Sequence, residues 1–115
     1  MNVRVSGGKH RGRRIRAGKG SGLRPTSEKV RLAIFSILGA DLEGKRVLDA
    51  YAGTGSLGIE ALSRGARWAD FVETDGHRCE AIRETLKDLD MQQARVHKGK
   101  IGSSLSRLGH RYDVV

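Results

Sequence analysis

The stretch from residue 47 to residue 58 constrains the fold of this chain more than any other. It reads Val-Leu-Asp-Ala-Tyr-Ala-Gly-Thr-Gly-Ser-Leu-Gly, so a short apolar run ends at an acid, Asp49, and a glycine-rich turn follows. Gly53, Gly55 and Gly58 have the spacing G-x-G-x-x-G, which permits a tight turn and a close approach of a ligand to the backbone. Taken alone the pattern is weak, because glycines also mark ordinary turns.

The pattern around this turn predicts an α/β fold with a doubly wound parallel sheet. Strands are predicted at residues 46–50, 69–73, 94–98 and 112–115. Helices are predicted at residues 57–64, 76–88 and 102–108, and Gly65 is predicted to cap the first of them. Strands that alternate with helices in this way form a parallel sheet covered by helices.

The last predicted strand would pair beside the strand that precedes the glycine turn. Ligands of doubly wound sheets bind outside the carboxyl ends of the strands, and the sequence stops where such a loop would begin. We therefore expect the chain to be a fragment of a longer protein.

Charge divides the chain into two parts. The net charge is +9, and residues 1–31 hold ten Lys or Arg against one acid, whereas the remaining residues hold twelve of each sign. A basic arm on a neutral body is typical of contact with a nucleic acid backbone, and the alternative is a solubilising tail. We predict a basic β-hairpin and a flexible joint in residues 1–22, followed by one domain in residues 23–115.

A helix is predicted directly after the only proline, Pro25. Thr26 or Ser27 would cap it, with Glu28 in its first turn. Its apolar residues at helical spacing are expected to form the buried stripe: Val30, Ile34, Ile37 and Leu38.

Asp49 separates two classes of cofactor. A dinucleotide would place its pyrophosphate at the start of the helix that follows the turn. Two like charges about 4 Å apart repel by about 1 kcal/mol in water and about 4 kcal/mol near a protein surface. S-adenosylmethionine has a sulfonium and an ammonium and no phosphate, so Asp49 favours it. Glu73, twenty residues beyond Gly53, would hold a ribose in either case.

Several classes of protein are disfavoured by composition. The single cysteine, Cys79, excludes an internal disulfide, and the four histidines lack metal-ligand spacing, so we expect no metal. The sequence has no apolar run of the roughly 20 residues that span a membrane. We expect a cytoplasmic monomer.

The glycine turn resembles the first motif of the bacterial small-subunit (16S) ribosomal RNA guanine-N2 methyltransferases, a family of class I S-adenosylmethionine-dependent methyltransferases. The resemblance extends from Asp49 to Ala66, and Phe71-Val-Glu-Thr-Asp75 is similar to the second motif. Residues 6–13 and 23–31 are similar to the arm and first helix of that family, so the resemblance covers nearly the whole chain.

The resemblance implies a Rossmann-like methyltransferase that moves a methyl group to the exocyclic amine of a guanine in small-subunit rRNA. Its cofactor would be S-adenosyl-L-methionine, and its partner ribosomal RNA or the small ribosomal subunit. The candidate cofactor residues are Asp49, Tyr51, Gly53, Thr54, Gly55 and Glu73. The candidate RNA-binding residues are Lys9, Arg11, Arg13, Arg14, Arg16 and Arg24.

Two positions depart from the family pattern. Lys100 stands where the family usually has an acid beside the adenine, and the catalytic Asp/Asn-Pro-Pro-Tyr segment would directly follow Val115. No catalytic residue is therefore expected within the chain itself. A non-catalytic RNA-binding module and a dinucleotide-dependent oxidoreductase remain the alternatives.

Overall fold

The computed structural model describes residues 3–17, 27–39, 42–102 and 112–115. Its elements, in chain order, are β1 (Val3–Arg4), β2 (Arg14–Ile15), α1 (Glu28–Leu38), β3 (Arg46–Asp49), α2 (Ser56–Ser63), β4 (Trp68–Glu73), α3 (Gly76–Asp88) and β5 (Ala94–Lys98). The strands predicted at residues 46–50, 69–73 and 94–98 and the helices predicted at residues 57–64 and 76–88 agree with these bounds within one residue. In place of the strand predicted at residues 112–115, the structure has a single bridge residue, Val114. The predicted joint at residues 18–22 and most of the predicted helix at 102–108 lie outside the described residues.

Within the described residues, the central sheet is parallel and has the strand order β3-β4-β5. Val114 forms a parallel bridge to Val47, and the Leu48 amide donates a hydrogen bond to the Val114 carbonyl over 2.8 Å. The segment after residue 112 therefore lies beside β3, as the sequence predicted. The α/β class is confirmed, and the carboxyl ends of all these strands meet at one edge.

The core lies between the sheet and helices α2 and α3. Ala69 and Phe71 of β4 are fully buried there, against Ile59 of α2 and Ile82 of α3. Each helix begins at the carboxyl edge of the sheet and runs back to the opposite edge, because it joins two parallel strands. The two edges therefore differ in what they present: helix starts at one, helix ends and strand starts at the other.

The basic hairpin is present, with Val3 opposite Ile15 in β1 and β2. It is not a free arm, because Val3, Val5 and Ile15 are buried in the same core cluster as α2 and α3. Its turn, residues 6–12, lies at the ends of these two helices: the Lys9 amide donates to the Ser63 carbonyl over 2.8 Å. The domain division at residue 22 stays a prediction, since residues 18–26 are not described.

Helix α1 is capped by Ser27, whose hydroxyl accepts a hydrogen bond from the Val30 amide over 3.2 Å. The buried stripe predicted for this helix is wrong. Ile37 is 85% exposed, and Val30 and Leu38 are exposed as well, whereas Arg31 and Phe35 are buried.

The reason for this rotation of α1 is a charge on the neighbouring helix. Glu60 of α2 is fully buried, and the Arg31 guanidinium lies 3.8 Å from its carboxylate. The Arg64 guanidinium packs over the Phe35 ring, 5.0 Å from its centre. These contacts turn the arginine face of α1 inward, and an apolar pattern alone does not contain that information.

None of the helices in the described residues is long and apolar enough to cross a membrane. No group of three or more His, Cys, Asp or Glu side chains among these residues could hold a metal ion.

Candidate cofactor site

The glycine turn is built as the sequence predicted, and each glycine has a different physical role. Gly53 and Gly55 have φ angles of 60° and 77°, in the left-handed region where side chains are strained. Gly58 lies in α2, and a Cβ atom there would be 2.3 Å from the Phe71 ring. Two glycines therefore shape the turn, and the third lets α2 pack closely on β4.

Asp49 ends β3 directly before this turn and is only 8% exposed. Its Oδ2 accepts a hydrogen bond from the Gly58 amide, in the first turn of α2, over 3.2 Å. Burial raises the pKa of Asp49 to about 7, the Gly58 amide acts against this rise, and the nearby Glu73 charge adds to it. A cation bound here would return the carboxyl group to its ionised form.

Glu73 ends β4 on the other side of the turn and is 7% exposed. Its two carboxylate oxygens accept the Gly53 amide over 3.0 Å and the Asp75 amide over 2.7 Å. Oε2 also accepts the Thr74 hydroxyl over 3.4 Å and lies 4.0 Å from the Arg78 guanidinium, whereas Oε1 accepts the Gly53 amide. Each carboxylate oxygen has about two acceptor positions, so Oε1 retains capacity for a ligand hydroxyl. Asp49 and Glu73 thus flank the glycine turn, and a ligand lying across the turn could reach both.

A cavity of about 720 Å³ opens beside Glu73 at the carboxyl edge of the sheet. Tyr51, which is 84% exposed, and Gly53 line it from the turn. Lys100 and Ile101 line it from the segment after β5, so Lys100 does reach this cavity, where the family pattern has an acid. Ile101 adds an apolar wall of the kind that a flat base requires.

Asp49 does not line this cavity but a neighbouring cleft of about 240 Å³ between α1 and β3. Thr54 is buried within the turn. The six candidate cofactor residues therefore lie together on and around one turn. The site has two parts, a smaller cleft at Asp49 and a wider pocket at Glu73, and Ala50 lines both.

The largest cavity, about 920 Å³, lies at the opposite edge of the sheet, between the hairpin turn and the ends of α2 and α3. Lys9, Glu43, Arg64 and Asp90 line it, so its charges are mixed. Helices end at this edge, and the glycines that line the cavity, Gly8 and Gly65, belong to the hairpin turn and to the turn after α2. Size alone therefore does not identify the cofactor site.

Cys79 is fully buried on α3, and its thiol donates to the Glu73 carbonyl over 3.4 Å. Burial raises the pKa of this thiol, which keeps it protonated and unreactive. It supports the strand end that carries Glu73.

Sequence reasoning missed Glu60, the residue that fixes the hairpin to the body. Its carboxylate accepts the Ser6 and Gly7 amides over 2.7 and 2.9 Å, and the Arg64 guanidinium over 2.9 Å. The Arg31 guanidinium donates to the Arg4 carbonyl of β1 over 2.7 Å. A glutamate inside an otherwise apolar helix, four residues before an arginine, was the available signal.

The six candidate RNA-binding residues fall into three groups. Lys9, Arg11 and Arg14 lie on the hairpin, and no side-chain hydrogen bond or ion pair is found for them among the described residues. Arg13 donates to the Asp88 carbonyl over 3.2 Å, and Arg16 binds the Asp88 carboxylate over 2.7 Å. Arg24 lies outside the described residues.

The hairpin turn and the cofactor pocket lie at opposite edges of the sheet. His10 contacts the Leu89 carbonyl just after α3 ends, whereas Ala17 and His77 line one groove at the start of α3. The 13 residues of α3 span about 20 Å. A nucleic acid that contacts both the hairpin turn and the cofactor edge has to follow α3 over this length.

The chain has clear relatives. It is 37% identical over 110 residues to YlbH, a candidate rRNA methyltransferase of Bacillus subtilis, and the match covers 95% of this chain and 60% of that protein. It is 35% identical over 113 residues to ribosomal RNA small subunit methyltransferase D of Escherichia coli, covering 98% and 57%. The chain thus spans less than two thirds of the length of these relatives.

The solved structure of yhhF, a candidate methyltransferase from Escherichia coli, has the same fold. The two superpose with a TM-score of 0.82 at 36% identity, over 92% of this chain and 58% of that one. The fold is the Rossmann-like fold of class I methyltransferases. Residues 3–115 match the family model described as conserved hypothetical protein 95, and the chain belongs to that family.

Proposed function

We propose that this chain is the cofactor-binding part of an S-adenosylmethionine-dependent methyltransferase that acts on small-subunit ribosomal RNA. The substrate atom would be the exocyclic amine of a guanine. The enzyme would work as a monomer in the cytoplasm. Support comes from the site geometry and from the relatives, one of which is named as a small-subunit rRNA methyltransferase.

One observation carries the choice of cofactor. In dinucleotide-binding folds, free amides at the start of the helix after the glycine turn bind the pyrophosphate. Here the Gly58 amide already donates to the Asp49 carboxylate, so an acid takes the place that a phosphate would need. A cationic ligand end suits this arrangement and a pyrophosphate does not.

S-adenosylmethionine supplies a methyl group on a positively charged sulfur, so no further activation of the donor is needed. Asp49 would attract the ammonium end, directly or through the amides of the turn. Glu73 would accept hydrogen bonds from the ribose hydroxyls, and Tyr51 would cover the exposed side of the pocket. Together these residues hold the donor in one orientation, which is the main contribution of a positioning catalyst.

The substrate end of the site would come from the segment after Val115. S-adenosylmethionine would supply a methyl group on a sulfonium sulfur that can leave with the bonding electron pair. The guanine amine would take the methyl group and give up one proton to an acceptor of that segment or to water. The guanine amine is a weak nucleophile, because its lone pair is delocalised into the ring. Acceptors in that following segment would hold its N–H groups and aim the lone pair at the methyl group.

The hairpin would contribute affinity for the RNA backbone. Lys9, Arg11 and Arg14 are its proposed phosphate ligands, and Arg24 is a further candidate. Arg13 is also a candidate, although it already donates one hydrogen bond to the Asp88 carbonyl. Arg16 contributes less to the charge offered, because Asp88 and Glu84 already bind its guanidinium. The hairpin region has no aromatic residue, so backbone contact rather than base stacking is expected.

Calorimetry with S-adenosylmethionine tests the cofactor site in the full-length protein. Asp49→Asn is expected to weaken binding at least tenfold at pH 8, because it removes the acid that faces the ammonium. Asp90→Asn is the matched control: it removes the same charge at the opposite edge, in a position with φ of 53° that asparagine tolerates. Tighter binding of NAD or NADP by Asp49→Asn would support the oxidoreductase instead.

Transfer of a labelled methyl group tests the reaction. Incubation with small-subunit rRNA or small subunits from a strain lacking the enzyme is expected to label one guanine at its amine. Cofactor binding without any transfer would support the non-catalytic RNA-binding module.

Salt-dependent RNA binding tests the hairpin surface. Replacing Lys9, Arg11 and Arg14 with alanine is expected to weaken binding and to lower the slope of log K against log salt by about 0.7 to 0.9 per lost phosphate contact. Arg16→Ala is the control within the same hairpin, and it is expected to change the slope less. An unchanged slope in the triple variant would favour the solubilising-tail interpretation.

A further inference from the structure

Besides Asp49, Glu60 and Glu73, the carboxylate of Asp70 is buried, and it lies on the face of the sheet that α2 and α3 do not cover. Asp70 lies in the middle of β4, is almost completely buried, and alternates with Ala69 and Phe71, which face those helices. On its own face the apolar neighbours are Leu48 and Val72, with Ala50, Ile101 and Tyr112 packed against them.

Three side chains of the described residues bind this carboxylate. The Tyr112 hydroxyl and the Trp68 indole N–H donate to Asp70 Oδ2 over 2.6 and 2.9 Å, and His97 Nε2 lies 2.8 Å from Oδ1. The Tyr112 hydroxyl and the Trp68 indole are the donors in their bonds to Asp70, and His97 Nε2 completes the cluster at the other carboxylate oxygen. Burial and the Asp70 charge both raise the pKa of Tyr112, which keeps its hydroxyl protonated.

Tyr112 connects two strands that are not neighbours. The segment it begins pairs with β3, yet its hydroxyl reaches across the face of β3 to Asp70 on β4. The backbone pairing of this segment is short: the Leu48 amide donates to Val114 over 2.8 Å, and the Asp113 and Val114 amides donate to the Arg46 carbonyl over 2.8 and 3.2 Å. The Asp113 carboxylate accepts the Arg46 amide over 2.8 Å, so all of these contacts lie at Arg46 and Leu48 of β3. So few ladder bonds define a register weakly, and a shift by one residue would move each side chain to the other face.

We infer that Asp70 and Tyr112 are positioning residues for methyl transfer. They fix the register of the segment at residues 112–115, and thereby the place beside Asp49 where the following substrate-binding segment begins. This inference rests on the proposed function. Misplacement of a reacting group by about 1 Å can lower a rate by about a hundredfold, so a single directional bond at this point has a large effect on the rate.

The test uses the full-length protein and Tyr112→Phe, which keeps the ring and removes only the hydroxyl. The turnover number for methyl transfer is expected to fall at least tenfold, while the dissociation constant for S-adenosylmethionine stays within twofold. Hydrogen exchange is expected to accelerate at the Leu48 and Val114 amides, because their pairing loses its side-chain support.

Trp68→Phe is the matched control, since it removes another donor to the same oxygen of Asp70. Trp68 belongs to β4 and not to the segment at residues 112–115, and its bond to Asp70 joins two residues of that same strand. Its turnover number and the exchange of the Leu48 and Val114 amides are expected to stay near the wild-type values. The turnover number and the amide exchange rates therefore distinguish a positioning role of Tyr112 from a merely structural one, which a measurement of stability alone would not do.

Two results would overturn the inference. One is wild-type turnover or unchanged amide exchange in Tyr112→Phe, and the other is an equal loss in Trp68→Phe. If the wild-type protein transfers no methyl group at all, the proposed function fails separately. The exchange measurement then still decides whether Tyr112 fixes the register.

Discussion

Asp49 and Glu60 are both buried carboxylates in contact with α2, since Asp49 binds the start of this helix and Glu60 lies within it. The two carboxylates differ in the number of their partners. Among the described residues, Asp49 has one hydrogen-bond donor, the Gly58 amide. Glu60 accepts the Ser6 and Gly7 amides and is held by the guanidinium groups of Arg31 and Arg64. The first carboxylate is left with capacity for a ligand, and the second is saturated by the protein itself.

The difference separates a binding site from a structural joint. A buried acid with few donors is costly in its ionised form, and the pKa of Asp49, raised to about 7, reflects that cost. A buried acid surrounded by amides and guanidinium groups holds its surroundings together. Glu60 in this way joins the hairpin, α1 and α2, and so holds the basic hairpin in one orientation on the body.

The largest effect is expected from removing the charge of the saturated carboxylate. Glu60→Gln leaves Arg31 and Arg64 buried without their counter-ion, and loss of one partner of a buried pair costs about 3 to 5 kcal/mol of unfolding free energy. Urea denaturation measures this. The control is Glu84→Gln, at an exposed position of α3, and it is expected to unfold close to wild type. Equal stability of the two variants would contradict the structural role of Glu60.

The next effect concerns the close contact between α2 and β4. Gly58→Ala places a methyl group against the Phe71 ring, and overpacking of this kind costs about 1 to 3 kcal/mol. Thermal unfolding measures it. Gly102→Ala is the control, because a Cβ atom there meets nothing within 4 Å. A Gly58→Ala variant as stable as wild type would show that the ring moves aside easily.

Removing the charge of Asp49, which has a single hydrogen-bond donor among the described residues, is expected to raise the free energy of unfolding. The pKa of Asp49 is about 7 in the folded chain and near 4 when unfolded, so the folded state binds the extra proton. Its contribution to stability is therefore fully present below about pH 4 and is lost as pH rises to about 7. Asp49→Asn should unfold like wild type at pH 4 and be about 4 kcal/mol more stable at pH 8, from a shift of about 3 pKa units at about 1.4 kcal/mol each.

Denaturation curves of Asp49→Asn and wild type at pH 4, 6 and 8 measure this difference. The same substitution is expected to weaken binding of S-adenosylmethionine, so stability and binding are expected to change in opposite directions. A variant that is less stable than wild type at pH 8 would mean that the carboxylate of Asp49 is well satisfied without a ligand.

The smallest effect is expected at the hairpin surface. Arg16 is half exposed, and its ion pairs with Asp88 and Glu84 lie in solvent. Exposed pairs contribute little and are screened by salt. Arg16→Ala should lower the midpoint of unfolding only slightly, and the difference should vanish in molar salt. A loss that persists in high salt would show that packing of the Arg16 side chain, not its charge, holds the hairpin.

Prediction from sequence succeeded where a local pattern was sufficient. The three body strands, α2, α3, Ser27 as a cap and the glycine turn all follow from residue spacing within short windows. It failed for α1, whose exposed apolar residues were expected to be buried. The partner of that helix is a charge 29 residues away, at Glu60, and periodicity within α1 does not encode it.

The candidate site divides in the same way. Asp49, the glycines and Glu73 are adjacent to strand ends, so their meeting at one edge follows from a parallel sheet. The Asp70 cluster joins residues 68, 70, 97 and 112, and no local spacing relates them. The hairpin was expected as a free arm, and its burial against α2 and α3 depended on tertiary contacts.

By itself the sequence determined the α/β class, the glycine turn after β3, the acid directly before that turn, and the concentration of positive charge in the first 31 residues. Each of these is a property of neighbouring residues. Only the tertiary structure decided which carboxylate is saturated and which retains capacity, and which hairpin arginines are already paired. The number of donors that reach a buried charge depends on elements brought together from distant parts of the chain, and that number decides whether a charge stabilises the fold or remains available to a ligand.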